Sequence, residues 1–210
     1  RLCTQAKDPP SAIAACTELI KAAANNAIAY NHRGNAYRAA GRFDDAIADH
    51  TQAISLDSEF SVAYSNRCAD YTAKGDLDRA LADCNKAIEI DPRFSVAYVN
   101  RATISQRKGQ TAVAIPDYDR ALALSPKYVR ALNARAQALV ATANAAAALA
   151  DADKALALRP GDAAILDTRA HVLEALGRRE EAIAAYRQAL AAKPDLKESL
   201  EALARLRVKP

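Results

Sequence analysis

The chain has 210 residues and a formal net charge of +4, with 29 Lys and Arg against 25 Asp and Glu. Because basic and acidic residues alternate along the chain rather than cluster, this balance argues against nucleic acid as the main partner. Nowhere do 18 or more apolar residues run together, so we expect no membrane-spanning helix.

The most regular feature of the sequence is a period of 34 residues. An arginine recurs at this interval, two alanines recur in phase with it, and a proline closes four of the periods. The recurring residues are Arg33, Arg67, Arg101, Arg135 and Arg169; Ala46, Ala80, Ala114, Ala148 and Ala182; Ala53, Ala87, Ala121, Ala155 and Ala189; and Pro92, Pro126, Pro160 and Pro194. A fixed period of this length predicts an array of helix-turn-helix repeats, an architecture that usually binds rather than catalyses.

Each period contains the pattern of two amphipathic helices. A large residue at the fourth position, a small one at the eighth and another mostly large one at the eleventh predict the first helix, as in Tyr30, Gly34 and Tyr37. A glycine ends that helix in four repeats, and Ala143-Asn144 stands at the equivalent point of the fourth repeat. Small residues at the eighth, twentieth and twenty-seventh positions predict a close approach of the two helices, which larger side chains would overpack.

In chain order, an incomplete repeat comes first. Residues 8–26 are expected to form its second helix, with Ala12, Cys16 and Leu19 at the twentieth, twenty-fourth and twenty-seventh positions. Full repeats are predicted at 27–60, 61–94, 95–128, 129–162 and 163–196. Residues 197–210 are expected to form a capping helix, because array ends need a polar outer face. In it Leu196, Leu200 and Leu203 should face inward, and Lys197, Glu198, Glu201 and Arg205 should face water.

These features resemble the tetratricopeptide repeat family over residues 27–196. The resemblance implies one all-α domain, a right-handed α-solenoid of helix-turn-helix repeats whose first helices line a concave face. It also implies a non-enzymatic interaction module. The sequence has no phosphate-cradling glycine loop, nucleophile elbow or HExxH helix, which favours the same interpretation. We expect no cofactor and no metal, because no Cys and His set has zinc-ligand spacing.

Two segments depart from the repeat. Pro116 falls inside the predicted second helix of the third repeat, where it removes a helical hydrogen bond, so we expect a local kink or a late helix start. The segment from Leu139 to Leu156 is nearly all alanine. Its small side chains predict little apolar burial, and therefore the softest part of the array.

The periodic arginine occupies the seventh position, and an aspartate occupies the twenty-third position of four repeats. A hairpin places these two positions level with each other. We therefore predict the ion pairs Arg33–Asp49, Arg67–Asp83, Arg101–Asp117 and Arg135–Asp151. Ala185 leaves Arg169 without the corresponding partner. The alternative is a ladder of phosphate-binding arginines, which the periodic carboxylates argue against.

Two cysteine pairs allow disulfides. Cys3 and Cys16 flank a turn, where a disulfide would covalently link the two sides of the N-terminal hairpin. Cys68 and Cys84 lie on facing helices of one repeat, but small buried residues are expected there in any case, and two free thiols are the favoured interpretation. An even number of cysteines is compatible with export.

The resemblance assigns the second, fifth, sixth, ninth, twelfth and thirteenth positions to the concave face. Amide side chains are frequent there, and they both donate to and accept from the backbone of an extended peptide. The predicted peptide-binding residues are Asn31, His32, Asn35, Asn66, Asn100, Thr103, Arg107, Arg130, Asn133 and Gln137. Asn66 and Asn100 resemble an asparagine ladder found within the family, although two solvated asparagines remain an alternative. Arg107 and Arg130 favour an acidic segment, whereas Asp167 and Glu174 make the C-terminal end acidic.

The sequence therefore predicts a module that binds a protein or peptide segment in its concave face. A structural element for oligomerisation and the regulatory region of a larger enzyme remain alternatives. The style of the repeats, as in Tyr64-Ser-Asn-Arg67, resembles bacterial members of the family. Together with the Cys3–Cys16 pair it leads us to expect a bacterial exported protein, periplasmic or secreted.

Overall fold

The protein is described here by a computed structural model, which covers residue 3 and residues 8–209. The described residues form twelve α-helices and no β-strand. The helices are α1 (Pro9–Ala22), α2 (Ala27–Ala39), α3 (Phe43–Leu56), α4 (Ser61–Lys74), α5 (Leu77–Ile90), α6 (Ser95–Arg107), α7 (Thr111–Leu124), α8 (Val129–Ala141), α9 (Ala145–Leu158), α10 (Ala163–Ala175), α11 (Arg179–Ala192) and α12 (Lys197–Arg205).

Helices that follow one another in the chain pack as hairpins, as α2 with α3, α4 with α5, α8 with α9 and α10 with α11. The chain divides into two compact units, an N-terminal unit that ends at Ile104 and a C-terminal unit that begins at Ser105, so the boundary falls within α6. Each unit is a run of such hairpins. The predicted fold class, an all-α array of helix-turn-helix repeats, is confirmed. None of the described helices has both the length and the apolar character needed to cross a membrane.

Buried alanines allow the two helices of each hairpin to pack closely. The periodic alanines of the second helices, at the twentieth and twenty-seventh positions, are fully buried in every repeat. Because alanine projects only one methyl group, the helix backbones approach closely, and the core is filled by larger side chains elsewhere. In the C-terminal unit these include Tyr186 and Leu203, which pack together in one cluster.

Residues with positive φ form the turns within the hairpins. Gly41, Gly75, Gly109 and Gly177 have φ between 73° and 81°, and Ala143 has φ 61° at the equivalent place in the fourth repeat. Left-handed backbone is nearly free for glycine but costs an L-residue about 1–2 kcal/mol. The fourth repeat therefore makes the same turn as the others with a strained alanine.

The ends of the chain follow the prediction in part. In α12, Leu203 is buried and Leu196 and Leu200 pack against the core, whereas Lys197, Glu198, Glu201 and Arg205 are exposed, as predicted. In α1, Cys16 is buried, but Leu19 is 37% exposed and Ile20 is buried in its place.

Pro116 does not delay its helix. α7 begins at Thr111, sixteen residues after the start of α6, which is also the offset from α4 to α5 and from α8 to α9, and Pro116 lies inside it. The expected late start is therefore wrong. Proline has no N–H to donate to the preceding turn, yet α7 continues past it and buries Ala114, Tyr118 and Ala121.

Candidate interaction surfaces

The periodic arginines are held by carboxylates of the same hairpin. Arg33 donates from Nε and Nη2 to the two carboxylate oxygens of Asp49, at 2.7 and 2.8 Å. The pairs Arg67–Asp83 and Arg135–Asp151 have the same bidentate geometry. These three predicted ion pairs are confirmed. The hydrogen bond that Arg33 donates to Asp49 raises the pKa of the guanidinium further above its usual range.

Each arginine also reaches a polar residue sixteen positions earlier, in the preceding repeat. These acceptors are Thr17, Thr51, Asn85, Asp119 and Asp153, bonded to Arg33, Arg67, Arg101, Arg135 and Arg169 in turn at 2.6–3.1 Å. Arg169, which lacks an aspartate in its own hairpin, is therefore paired with Asp153. The arginines therefore join neighbouring repeats. Because their guanidinium groups are already hydrogen-bonded within the protein, they do not form a ladder of phosphate-binding sites.

The eighth and twenty-fourth positions of each repeat face each other, and one pair is covalent. Cys68 and Cys84 form a disulfide with a Cα–Cα distance of 5.5 Å, so the favoured expectation of two free thiols is wrong. Cys3 and Cys16 are also bonded, with Cα atoms 4.8 Å apart. Both distances lie within the usual range for disulfides.

In the N-terminal unit, α2 and α4 are joined by a network of amides around Arg38. Asn66 donates from Nδ2 to Oδ1 of Asn31 at 2.9 Å. Arg38 donates to Oδ1 of Asn35 at 2.7 Å and to the backbone oxygen of Asn66 at 3.2 Å. These contacts hold α2 and α4 side by side. We call the surface that these two helices form together the α2–α4 face.

A fully buried pair lies behind Arg38. Nδ1 of His50, on α3, is 2.6 Å from Oδ2 of Asp70, on α4, and neither side chain is exposed. The second carboxylate oxygen of Asp70 accepts from Arg38 at 3.5 Å. Sequence reasoning missed this pair, because His50 and Asp70 each occur at their position in a single repeat.

The predicted site residues of the N-terminal unit differ in accessibility. Asn31 is 4% exposed and Asn100 is 5% exposed, and Asn100 donates to the hydroxyl and backbone oxygens of Ser65. His32, Asn35, Asn66 and Thr103 are half-buried. The α2–α4 face also presents Ile28 at 60% exposure and Val62 at 37%. Each apolar residue stands one helical turn before a polar one, His32 or Asn66.

In the C-terminal unit, the predicted residues Arg107, Arg130 and Gln137 are exposed and Asn133 is half-buried. Oδ1 of Asn133 is buried and has no hydrogen-bond donor among the described residues. Gln137 lines a cavity of about 320 Å³ between α8, α10 and α12. The other lining residues are Val140, Ala141, Asp167, Thr168, His171 and Glu198.

Hydrogen bonds fix the walls of this cavity. Asp167 accepts from the hydroxyl of Ser199 at 2.5 Å, which ties α10 to α12. Nδ1 of His171 lies 2.9 Å from the backbone oxygen of Asp167 and 3.3 Å from its carboxylate. The hydrogen bond that His171 donates to Asp167 raises the pKa of His171 above its ordinary value of 6.5. Gln137 donates to the hydroxyl of Thr168 at 2.9 Å.

The described residues contain no group of three or more His, Cys, Asp or Glu side chains placed to hold a metal ion. What the structure does offer is two surfaces on first helices, the α2–α4 face and the cavity between α8, α10 and α12. Each combines apolar and polar side chains.

Several solved structures have this fold. YrrB, described as a TPR protein with an unusual peptide-binding site, is 22% identical with a TM-score of 0.67, and the match covers 90% of this chain and 98% of that chain. PilW, a type IV pilus biogenesis factor, is 22% identical with a TM-score of 0.80 over 93% and 90%. Cut9, in the APC/C heterotetramer Cut9–Hcn1, has a TM-score of 0.86 at 17% identity over 94% and 39%. At these identities the likeness concerns the fold.

Comparison with curated protein sequences gives no match. Models of the tetratricopeptide repeat match residues 27–60 and 61–94, residues 99–163 and residues 163–206. Proteins built from this repeat are generally non-catalytic scaffolds for protein–protein interaction. The chain belongs to the tetratricopeptide repeat family.

Proposed function

We propose that the protein binds an extended segment of another protein along its first helices, and that it has no catalytic activity of its own. The observation that carries this proposal is the composition of the α2–α4 face. Exposed apolar side chains and half-buried polar ones alternate there at the same place in two successive repeats. An extended segment offers backbone amides to the polar groups and apolar side chains to Ile28 and Val62.

The ten predicted site residues take two roles in this proposal. His32, Asn35, Asn66 and Thr103 present their polar groups to the segment. Asn31 and Asn100, which are buried and bonded to Asn66 and Ser65, hold the neighbouring helices in place. An amide whose own bonds are already made to its neighbours is pre-organised, which lowers the entropy cost of binding.

In the C-terminal unit, the proposed contacts are Arg107, Arg130, Asn133 and Gln137. The exposed guanidinium of Arg130 supports an acidic group in the bound segment near the start of α8. YrrB is described as having a peptide-binding site, and its likeness in fold is consistent with a peptide partner.

Oligomerisation through the last helix is less well supported. Leu203 is fully buried against the core of its own chain, and Leu200 packs against the same cluster. Leu203 is therefore not available to a second copy without local unfolding, and Leu200 is only partly exposed.

The test is selection of peptides from a random library displayed on phage, followed by fluorescence polarisation with the selected peptides. We expect Ile28→Ser combined with Asn66→Ala to weaken binding at least tenfold, because an apolar contact and a polar contact are lost together. Val113→Ser is a matched control, since Val113 is 61% exposed, like Ile28, but lies on a second helix.

Circular dichroism establishes that each variant is folded. Selected peptides that bind the double variant as tightly as the native chain would remove the α2–α4 face from the proposal. Equal loss with Val113→Ser would show that the assay reports nonspecific adhesion to apolar surface.

A further inference from the structure

We propose that the cavity between α8, α10 and α12 is a pocket for a basic side chain, lysine or arginine, of a bound protein segment. This rests on the proposed function only in that the occupant belongs to a protein. The pocket lies entirely within the C-terminal unit, and the sequence did not predict that Glu198 joins Gln137 and Asp167 there.

The pocket has the size and the walls for a long side chain. Its volume of about 320 Å³ is at the lower end of ligand sites. Val140 and Ala141 form an apolar wall on α8, and Asp167 and His171 on α10 and Glu198 on α12 form a polar one. Lysine and arginine have the same division, with an apolar stem and a charged tip.

The free polar atoms of the pocket are hydrogen-bond acceptors. Gln137 uses its NH2 group on Thr168, and its Oε1 makes no hydrogen bond within the part of the chain that the structure describes. Nδ1 of His171 lies against a backbone carbonyl, which can only accept, so the proton is on Nδ1 and Nε2 of the neutral ring is an acceptor. Asp167 and Glu198 add carboxylates.

The charges of the pocket favour a cation. Glu198 is exposed and has no ion pair or hydrogen bond with any described residue, whereas the other nearby carboxylate, Glu174, is already bound to Arg205 at 2.8 Å. Asp167 and Glu198 therefore leave two negative charges in the pocket when the His171 ring is neutral, and one net negative charge when it is protonated. A group that only donates and carries positive charge, an ammonium or guanidinium, satisfies these atoms.

An acidic side chain in the pocket would bring a third carboxylate close to Asp167 and Glu198. Repulsion between these like charges therefore disfavours an acidic occupant. An apolar side chain would make no hydrogen bond to the acceptors of the pocket.

The experiment uses the full chain and short capped peptides, Gly-Gly-X-Gly-Gly, in which X is lysine, norleucine or glutamate. Binding is followed by NMR through the side-chain amide of Gln137 and the ring of His171. We expect the lysine peptide to shift these signals with at least threefold higher affinity than the norleucine peptide, and the glutamate peptide to leave them unchanged.

Glu198→Gln should weaken the lysine peptide about threefold, as expected for loss of an exposed ion pair. Glu198→Lys should abolish its binding. Glu201→Gln is the matched control, because Glu201 is also exposed on α12 but does not line the pocket. Equal binding of lysine and norleucine peptides, or equal effects of Glu198→Gln and Glu201→Gln, would overturn the proposal.

Binding of these short peptides to the pocket does not require the peptides that are selected on the α2–α4 face. A failure of the pocket proposal therefore leaves the proposed function intact. Conversely, the pocket can bind the lysine peptide even if peptide selection on the α2–α4 face fails.

Discussion

His50 and Asp70 form a hydrogen bond of 2.6 Å in complete burial, and they belong to different repeats. His50 lies on α3 and Asp70 lies on α4. Asp70 also accepts a hydrogen bond from Arg38, which in turn donates to Asn35 and Asn66. The core contact between the first two full repeats is thus continuous with the α2–α4 face. A substitution of His50 in the core would therefore act, through Asp70 and Arg38, on the proposed binding residues.

The same imidazole explains why Gly34 is a glycine. A Cβ atom at Gly34 would lie 2.6 Å from Nε2 of His50, which is closer than such atoms approach. We expect Gly34→Ala to destabilise the chain by about 2 kcal/mol through overpacking. In a His50→Ala background the same change should stabilise by about 1 kcal/mol, because alanine is the better helix former.

Urea denaturation of the four proteins of this double-mutant cycle measures both values. The fourth repeat supports the expectation, since Ala136 and Ala152 occupy the same two positions there and both are buried. A destabilising effect of Gly34→Ala in both backgrounds would show that the steric contact with His50 is not its cause.

The Cys68–Cys84 disulfide should contribute to stability. It links residues sixteen apart, and closing a loop of this size in the unfolded chain is worth about 3 kcal/mol. We expect Cys68→Ala combined with Cys84→Ala to lower the free energy of unfolding by about that amount in oxidising buffer. The alanine pair fits the site, as the fourth repeat shows, so packing loss should be small.

Repeating the measurement with a reductant is the control for the disulfide. Reduction also breaks Cys3–Cys16, but it does so equally in both proteins. The difference in stability between native and variant chains should then nearly vanish. A difference that persists under reducing conditions would mean that the cysteines contribute by packing and not by their bond.

The sequence was sufficient for features that repeat and insufficient for those that occur once. The Arg33–Asp49 type of pair was predictable because both residues recur in phase. The second contact of each arginine was missed because its acceptor changes from Thr51 to Asn85 to Asp119, although all occupy one position of the repeat. A search for residues able to accept, rather than for one residue type, would have found it.

The accessibility of a candidate site residue depends more on its neighbours in the fold than on its position in the repeat. Asn66 and Asn100 occupy the same position of successive repeats, yet Asn66 is half-buried and Asn100 is buried beside Ser65. The sequence placed Gln137 and Asp167 on the concave face, but it did not predict that Glu198 joins them, because Glu198 comes from the capping helix and was expected only to face water. Its meeting with Asp167 and Gln137 depends on how α12 packs.

The strained turn of the fourth repeat offers a simple stabilisation. Ala143 has φ 61° and is exposed, where four other repeats have glycine. We expect Ala143→Gly to raise the free energy of unfolding by about 1 kcal/mol, because the left-handed conformation is relieved. Gly177→Ala, at the same turn of the fifth repeat, should lower it by a similar amount.

Hydrogen exchange localises this effect. The second helix of the fourth repeat, α9, buries mainly alanines such as Ala148, Ala152 and Ala155, so we expect its amides to exchange fastest among the second helices. Ala143→Gly should slow that exchange. Unchanged exchange in α9, with or without the glycine, would contradict the expectation that this repeat limits local stability.

Protonation of His171 should weaken binding of a cation to the pocket. The hydrogen bond that His171 donates to Asp167 raises the pKa of His171 above 6.5, so the ring gains its charge as pH falls through this raised pKa. The charged and titratable groups that accompany it are Asp167 and Glu174 on α10, Tyr186 on α11, and Glu198 and Arg205 on α12.

The pocket then changes from two net negative charges to one. We expect the affinity of the lysine peptide to fall as pH decreases from 8 to 6. By linkage, the bound peptide should lower the pKa of His171. For stability the sign is opposite: a raised pKa contributes stability below the unfolded value, and that contribution is lost as pH rises through the folded pKa.

The measurement is an NMR titration of the histidine ring protons, with and without the lysine peptide. His32 is the internal control, because it lies on α2 in the N-terminal unit and its ring signals should not respond to the peptide. His171→Gln should flatten the pH dependence of lysine-peptide affinity, because the group that gains the charge is removed. An upward movement of the His171 midpoint on adding peptide would mean that the occupant attracts the proton, which a cation in this pocket does not do.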